Sequence, residues 1–344
     1  MTRPKILIIY TGGTIGMIED PTTHALRPFD FSHLIENVPK VKMLDYSIDN
    51  YQFKNPIDSS NMNFEHWRDI ASIIERNYNL YDGFVVLHGT DTMAYTASAL
   101  TFMLENLDKP VIITGSQLPI GEVRTDGEEN LITALQIAAS RRPDGRSTVR
   151  EVAILFEDYL WRGCRATKRS ADNFNAFQSN NYPALAHVGL DIDYDYEALA
   201  HKETTGSLKV NYGMDPNVIE LTLNPGLNAS FLNHALNAPG LKGVILRSYG
   251  AGNAPDTEWF NKALSEAIER GIVILNVTQC VHGPVRAGRY LAGEKLLDMG
   301  VISGHDITFE AAITKMMHLF GQNIPIEEVR QKLTRPMAGE MTIR

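Results

Sequence analysis

The chain has 344 residues, 44% hydrophobic and 21% charged, with a formal net charge of −9. This is the composition of a globular chain long enough for two domains, which excludes a disordered or fibrous protein. The acidic balance argues against a general nucleic-acid surface, and no stretch approaches the ~20 apolar residues of a membrane helix. Two cysteines, Cys164 and Cys280, form neither a disulfide framework nor a zinc spacing and fit a reducing, cytoplasmic compartment.

Residues 5–10, KILIIY, read as a first strand, too short for a secretory signal core, and run straight into Thr11-Gly12-Gly13-Thr14. Helix-period sequence over 64–80 puts Trp67, Ile70, Ile74 and Tyr78 on one face; 92–106 and 127–140 are read the same way. Strands are expected at 83–88, 110–114 and 151–156. These runs are short, rich in Val, Ile and Leu and lack alternation, as in strands of a parallel sheet buried on both faces. The fold expected is α/β: a doubly wound, mostly parallel sheet domain over 1–195, a polar linker at 196–216, and a smaller α/β domain over 217–344. In the latter, strands fall near 217–223, 242–247 and 272–277, and helices near 228–237, 256–270, 289–299 and 308–321.

Ligands of open parallel sheets bind beyond the carboxyl ends of the strands. Here those ends carry TGGTIG, HGTDTMAY, TGSQLPIGEVRTDGEEN and FEDYLWRGCRATKRS. None is a dinucleotide or P-loop fingerprint. They collect Thr11, Thr14, Thr90, Asp91 and Lys168 instead, the inventory for a hydroxyl nucleophile with a carboxylate–lysine base. A threonine hydroxyl needs a group to take its proton, and a lysine does so only when its pKa is drawn down, for instance by desolvation. Glycines beside the nucleophile admit a carbonyl close to backbone N–H groups that stabilise an oxyanion. The plainer alternative is that TGGT and HGTDT are tight turns, with Asp91 and Thr92 as ordinary helix N-caps. His88 reads as a strand-end residue satisfying local backbone groups, Cys164 as a buried thiol, Trp67 as core, and the acids of TDGEEN as favourable to a helix N-terminus. His282, His305 and His318 show no metal-ligand spacing, so no metal is expected.

YTGGTIGM and GFVVLHGTDTMAYTASAL resemble the two signature segments of bacterial-type L-asparaginases. RGCRATK followed by AFQS resembles the segment carrying that family's lysine, IDSSNM its substrate-carboxylate loop, and LRSYGAGNAP a segment of its C-terminal domain. The similarity spans nearly the whole chain and is greatest to the cytosolic, type I branch. It implies Thr14 as nucleophile on the side-chain amide of asparagine, and Thr90, Asp91 and Lys168 as the second catalytic group. Asp91 also takes the substrate α-amino group, and Ser59 and Ser60 the α-carboxylate, with Asp58 beside them. It further implies an aspartyl-threonine ester, no cofactor, and a homo-oligomer, either a dimer or a dimer of dimers.

One departure concerns a loop tyrosine the family carries some ten residues after the nucleophile. Leu26 or a neighbour takes its place, His24 lies near by, and Tyr290 from a facing subunit is the speculative substitute. In the cytosolic branch some members bind a second asparagine, and Arg247, Ser248, Tyr249, Thr278 and Cys280 match that effector site, with a structural arginine as the alternative. Glutamine hydrolysis, an ammonia-supplying subunit for tRNA charging and a non-catalytic amino-acid sensor are the rival functions.

Overall fold

A computed structural model of the chain describes residues 3–19, 26–28, 38–199, 206–286 and 291–343. The chain divides into two compact units, Met1–Asn211 and Tyr212–Arg344.

The first unit is built on strands β1 (Lys5–Gly12), β2 (Ser47–Ile57), β3 (Gly83–Leu87), β4 (Val111–Thr114), β5 (Val152–Phe156), β6 (Tyr159–Arg162), β7 (Ala166–Lys168), β8 (Phe177–Ser179), β9 (Ala186–Val188) and β10 (Ile192–Tyr194). Eight of them form one sheet in the order β10-β9-β6-β5-β4-β3-β1-β2. The run from β2 to β5 is parallel, whereas β6, β9 and β10 add on antiparallel. The mostly parallel, α/β reading therefore holds. The central strands are buried along their length, as the unbroken apolar runs require, and each fully buried Ile or Val contributes about 2 kcal/mol.

Helix α1 (Phe64–Asn77) starts at Asn63, whose side chain accepts the N–H groups of Glu65 (2.9 Å) and His66 (3.2 Å). It buries Trp67, Ile70 and Ile74, while Tyr78 lies just past its end. Helix α2 (Met93–Met103) is buried on nearly all sides, so no single apolar stripe exists there. It stops at Met103 because Leu104–Glu105 pairs with Lys209–Val210. Helix α3 (Gly127–Ala139) carries Glu128 and Glu129 in its first turn, where the helix dipole favours them, and Lys40 bridges both.

In the second unit, β11 (Val218–Thr222), β12 (Gly243–Ser248), β13 (Val273–Thr278) and β14 (Ile302–Ser303) form a parallel sheet in that order. Around it lie α4 (Ala229–Leu236), α5 (Glu258–Glu269), α6 (Leu291–Asp298), α7 (Phe309–Gly321) and α8 (Ile326–Leu333). Leu246, Phe260, Leu264 and Ile274 belong to its core. A fully buried ion pair, Lys315–Glu340 at 2.7 Å, fastens the C-terminal segment to α7. Its carboxylate also accepts the N–H groups of Met337 and Ala338, which offsets part of its desolvation cost. Among the described residues no helix is long and apolar enough to cross a membrane.

Candidate active site

Strands β2, β1 and β3 are neighbours and parallel, so their carboxyl ends open at one edge of the sheet. The turns that follow are Gly13–Gly16, Asp58–Asn61 and His88–Thr92. Two glycines let them touch. Gly13 has φ +89°, and a Cβ on it would lie 2.4 Å from the Gly89 nitrogen. A Cβ on Gly89 would lie 2.5 Å from Ser59 Oγ. Any side chain at either position would push the turns apart.

The two threonines of TGGT face different ways. Thr11 is buried and its hydroxyl donates to Leu87 O at 2.9 Å, so it joins β1 to β3. Thr14 is partly exposed and opens a single 3₁₀ turn, Thr14–Gly16. Tyr10, which sequence reasoning passed over, braces that turn: its hydroxyl donates to Gly16 O at 3.0 Å. Burial pushes the Tyr10 phenol up to about 12, which keeps it a neutral donor.

Lys168 closes the site from the β7–β8 hairpin. Its Nζ donates to Thr90 Oγ1 at 2.8 Å and to Asp91 Oδ1 at 2.6 Å. The lysine side chain is 19% exposed and the aspartate 63%, so the ammonium is largely withdrawn while the carboxylate faces outward. With Lys168 as donor, the Thr90 hydroxyl keeps its own proton available for a further acceptor.

The helix-cap alternative fails for Thr92. It precedes α2 without a side-chain cap bond, and its hydroxyl donates to Ser59 O at 2.7 Å, tying the HGTDT turn to the IDSS turn. Ser59 is buried against Gly89. Ser60 donates to Asp58 Oδ1 from both its N–H and its hydroxyl, each at 2.9 Å, and these bonds hold the Asp58 carboxyl below the usual range. His88 is fully buried between Gly89 O and Thr96 Oγ1, the locally satisfied histidine expected from the sequence.

Of the residues matched to an effector site, Arg247 and Ser248 end β12, Thr278 ends β13 beside them, and Tyr249 and Cys280 follow. Arg247 Nη1 donates to Glu220 at 3.1 Å and its guanidinium lies over the Phe309 ring, while its buried Nε has no hydrogen-bond partner among the described residues. Ser248 is turned inward onto Asn276 (2.5 Å), Thr278 donates to Gly250 O and accepts from the Cys280 N–H, and Cys280 is exposed. Cys164 is a buried thiol. His24 and Tyr290 lie outside the described residues; the Leu26 backbone pairs with Glu19, and its side chain is likewise outside them. Among the described residues no group of His, Cys, Asp or Glu has the arrangement to hold a metal ion.

Residues 5–200 match the family model for the asparaginase N-terminal domain, and residues 217–333 that for the glutaminase/asparaginase C-terminal domain. The chain belongs to the asparaginase family. This asparaginase-family enzyme is 42% identical over 346 residues to L-asparaginase 1 of Escherichia coli K12, covering 99% of each chain. Its fold superposes on L-asparaginase I of Vibrio cholerae with a TM-score of 0.91 and 39% identity, covering 99% of this chain and 100% of that one. For the thermostable L-asparaginase of Thermococcus kodakarensis the TM-score is 0.89 at 33% identity, with 99% and 100% covered.

Proposed function

We propose that the enzyme hydrolyses L-asparagine to L-aspartate and ammonia through a covalent ester on Thr14. The observation that carries this reading is the Lys168–Thr90–Asp91 hydrogen-bonded group on the strand edge where β1 delivers the partly exposed Thr14. Thr14 Oγ attacks the side-chain amide carbon and gives up its proton. The carbonyl electrons move onto oxygen, where backbone N–H groups of the glycine turns stabilise the charge. The carbon–nitrogen bond then breaks, nitrogen leaves as ammonia with the proton it has gained, and an aspartyl ester remains on Thr14. Water attacks that ester, its proton passing through the Thr90–Lys168 pair, and Thr14 recovers its hydroxyl as aspartate departs. This course uses no metal or organic cofactor.

The amino-acid end of the substrate falls to the other groups. The outward carboxylate of Asp91 suits an α-ammonium, and the hydroxyls of Ser59 and Ser60 are the donors for an α-carboxylate, that of Ser60 turning from Asp58 Oδ1 to do so. Because Thr92 holds that turn through Ser59 O, Thr92→Val is expected to raise KM about fivefold with kcat little changed, the loss of roughly one hydrogen bond. Initial rates across asparagine concentrations check this; an unaltered KM would count against it.

Ammonia release by the wild-type enzyme from asparagine and glutamine separately tests the substrate. Asparagine is expected to be preferred. Equal or faster glutamine turnover would make it a glutaminase, one methylene being worth only about 1–3 kcal/mol of discrimination. Absence of ammonia from both would overturn the hydrolase reading.

We further propose that asparagine activates the enzyme from the second unit. Arg247 has a buried Nε without a partner among the described residues and a carboxylate, Glu220, that an effector α-carboxylate replaces. The rate is expected to be sigmoidal in asparagine and to become hyperbolic in Arg247→Ala; a hyperbolic wild type would contradict this. We also place the enzyme in the cytoplasm as a homo-oligomer, a dimer or a dimer of dimers.

A further inference from the structure

We propose that His88 is a positioning residue: held in its Nδ1–H form by Thr96, it fixes the peptide plane between Gly89 and Thr90. The inference rests on the hydrolytic reading of Thr90.

The hydrogen-bond directions are set by chemistry. Trp67 Nε1 only donates, so at 2.9 Å it gives its proton to Thr96 Oγ1. Gly89 O only accepts, so at 2.6 Å His88 Nδ1 carries the proton. A neutral imidazole then presents a lone pair at Nε2, and the Thr96 hydroxyl donates into it at 2.8 Å. Each of the three hydrogen bonds from Trp67 through Thr96 and His88 to Gly89 therefore has one direction, with Thr96 Oγ1 accepting from Trp67 and donating to His88. Thr96 and His88 are fully buried and Trp67 nearly so, which leaves no solvent to substitute for a missing partner. Burial also lowers the His88 pKa to about 4, so the ring stays neutral near neutral pH.

The consequence reaches Thr90 through a single peptide group. The peptide is planar and trans, so its C=O and N–H point in opposite directions. With the carbonyl fixed on the buried His88 ring, the Thr90 N–H is turned away from it and the Thr90 Cα, which shares that peptide plane, is held at the start of the residue whose hydroxyl accepts from Lys168 at 2.8 Å. In the other neutral form, Nε2–H, a ring lone pair would face the Gly89 oxygen at 2.6 Å and drive the peptide to rotate. Thr96 opposes that form because its hydroxyl proton already points at Nε2.

Two measurements test this. Nitrogen NMR of the wild-type enzyme near neutral pH is expected to show neutral His88 protonated at Nδ1; protonation at Nε2 would overturn the proposal whatever the enzyme's activity. His88→Leu is expected to lower kcat for asparagine about tenfold with KM unchanged, as a displaced catalytic group does. His88→Asn, which sets an amide N–H near the place of Nδ1, is expected to recover most of that loss. A His88→Leu enzyme with parental kcat, or a His88→Asn enzyme as slow as His88→Leu, would overturn the positioning role. A wild type that releases no ammonia would instead remove the hydrolytic reading, and the NMR result would stand apart from it.

Discussion

Thr14→Ala is expected to release ammonia from asparagine at least on the order of 10³-fold more slowly than the wild type, while melting at nearly the same temperature. Both halves follow from where the side chain lies. Thr14 opens a one-turn 3₁₀ helix at the end of β1 and is partly exposed, so removing its hydroxyl and methyl leaves no large cavity. The turn keeps its brace, the Tyr10 hydroxyl on Gly16 O. What disappears is the hydroxyl proposed to form the ester. Thr11 cannot replace it, because its hydroxyl is buried and donates to Leu87 O. Ammonia release and thermal unfolding, measured on the same preparation, check the two halves. A variant that loses activity together with most of its stability would show that position 14 holds the fold rather than the reaction.

Lys168→Met is expected to reduce kcat by roughly 10²–10⁴-fold with a much smaller change in KM. Methionine fills the space of the lysine stem but cannot donate to Thr90 Oγ1 or Asp91 Oδ1. On the proposed mechanism the loss falls on proton transfer, and the Asp58–Ser60 turn proposed to hold the substrate carboxylate is left intact. Lys168→Arg is expected not to rescue, since a guanidinium stays protonated and its planar fork does not reproduce a single Nζ between two oxygens 2.8 and 2.6 Å away. Steady-state rates for the two variants decide the matter. A Lys168→Met enzyme with parental kcat and raised KM would move the lysine from proton transfer to binding.

The central strands were legible as short unbroken Val-, Ile- and Leu-rich runs and the helices at 64–77 and 127–139 by their helical period, and the strand ends directed attention to Thr14, Thr90, Asp91 and Lys168 as candidates. What escaped has physical reasons. Strand β2, SIDNYQFKNPI, lies at the sheet edge with half of its length exposed, so it carries polar residues that hide its strand character. Strands β9 and β10 are three residues each, too short for a periodicity to register. Helix α8 lies in a charged segment, IEEVRQKL, that buries only Val329 and Leu333. In the site, Thr92 looks like an N-cap by position, and only the folded chain shows its hydroxyl on Ser59 O. Tyr10 and Thr96 are similar cases: each belongs to an apolar run, and the hydroxyl that gives it a second role finds its partner through tertiary packing.

The most direct measurement is mass spectrometry of the enzyme mixed with asparagine and quenched in acid within a turnover. The expected result is a fraction of enzyme heavier by one aspartyl group, with the added mass on the peptide that contains Thr14 and absent from Thr14→Ala. The same mass on the peptide containing Thr90, or its persistence in Thr14→Ala, would contradict Thr14 as the nucleophile.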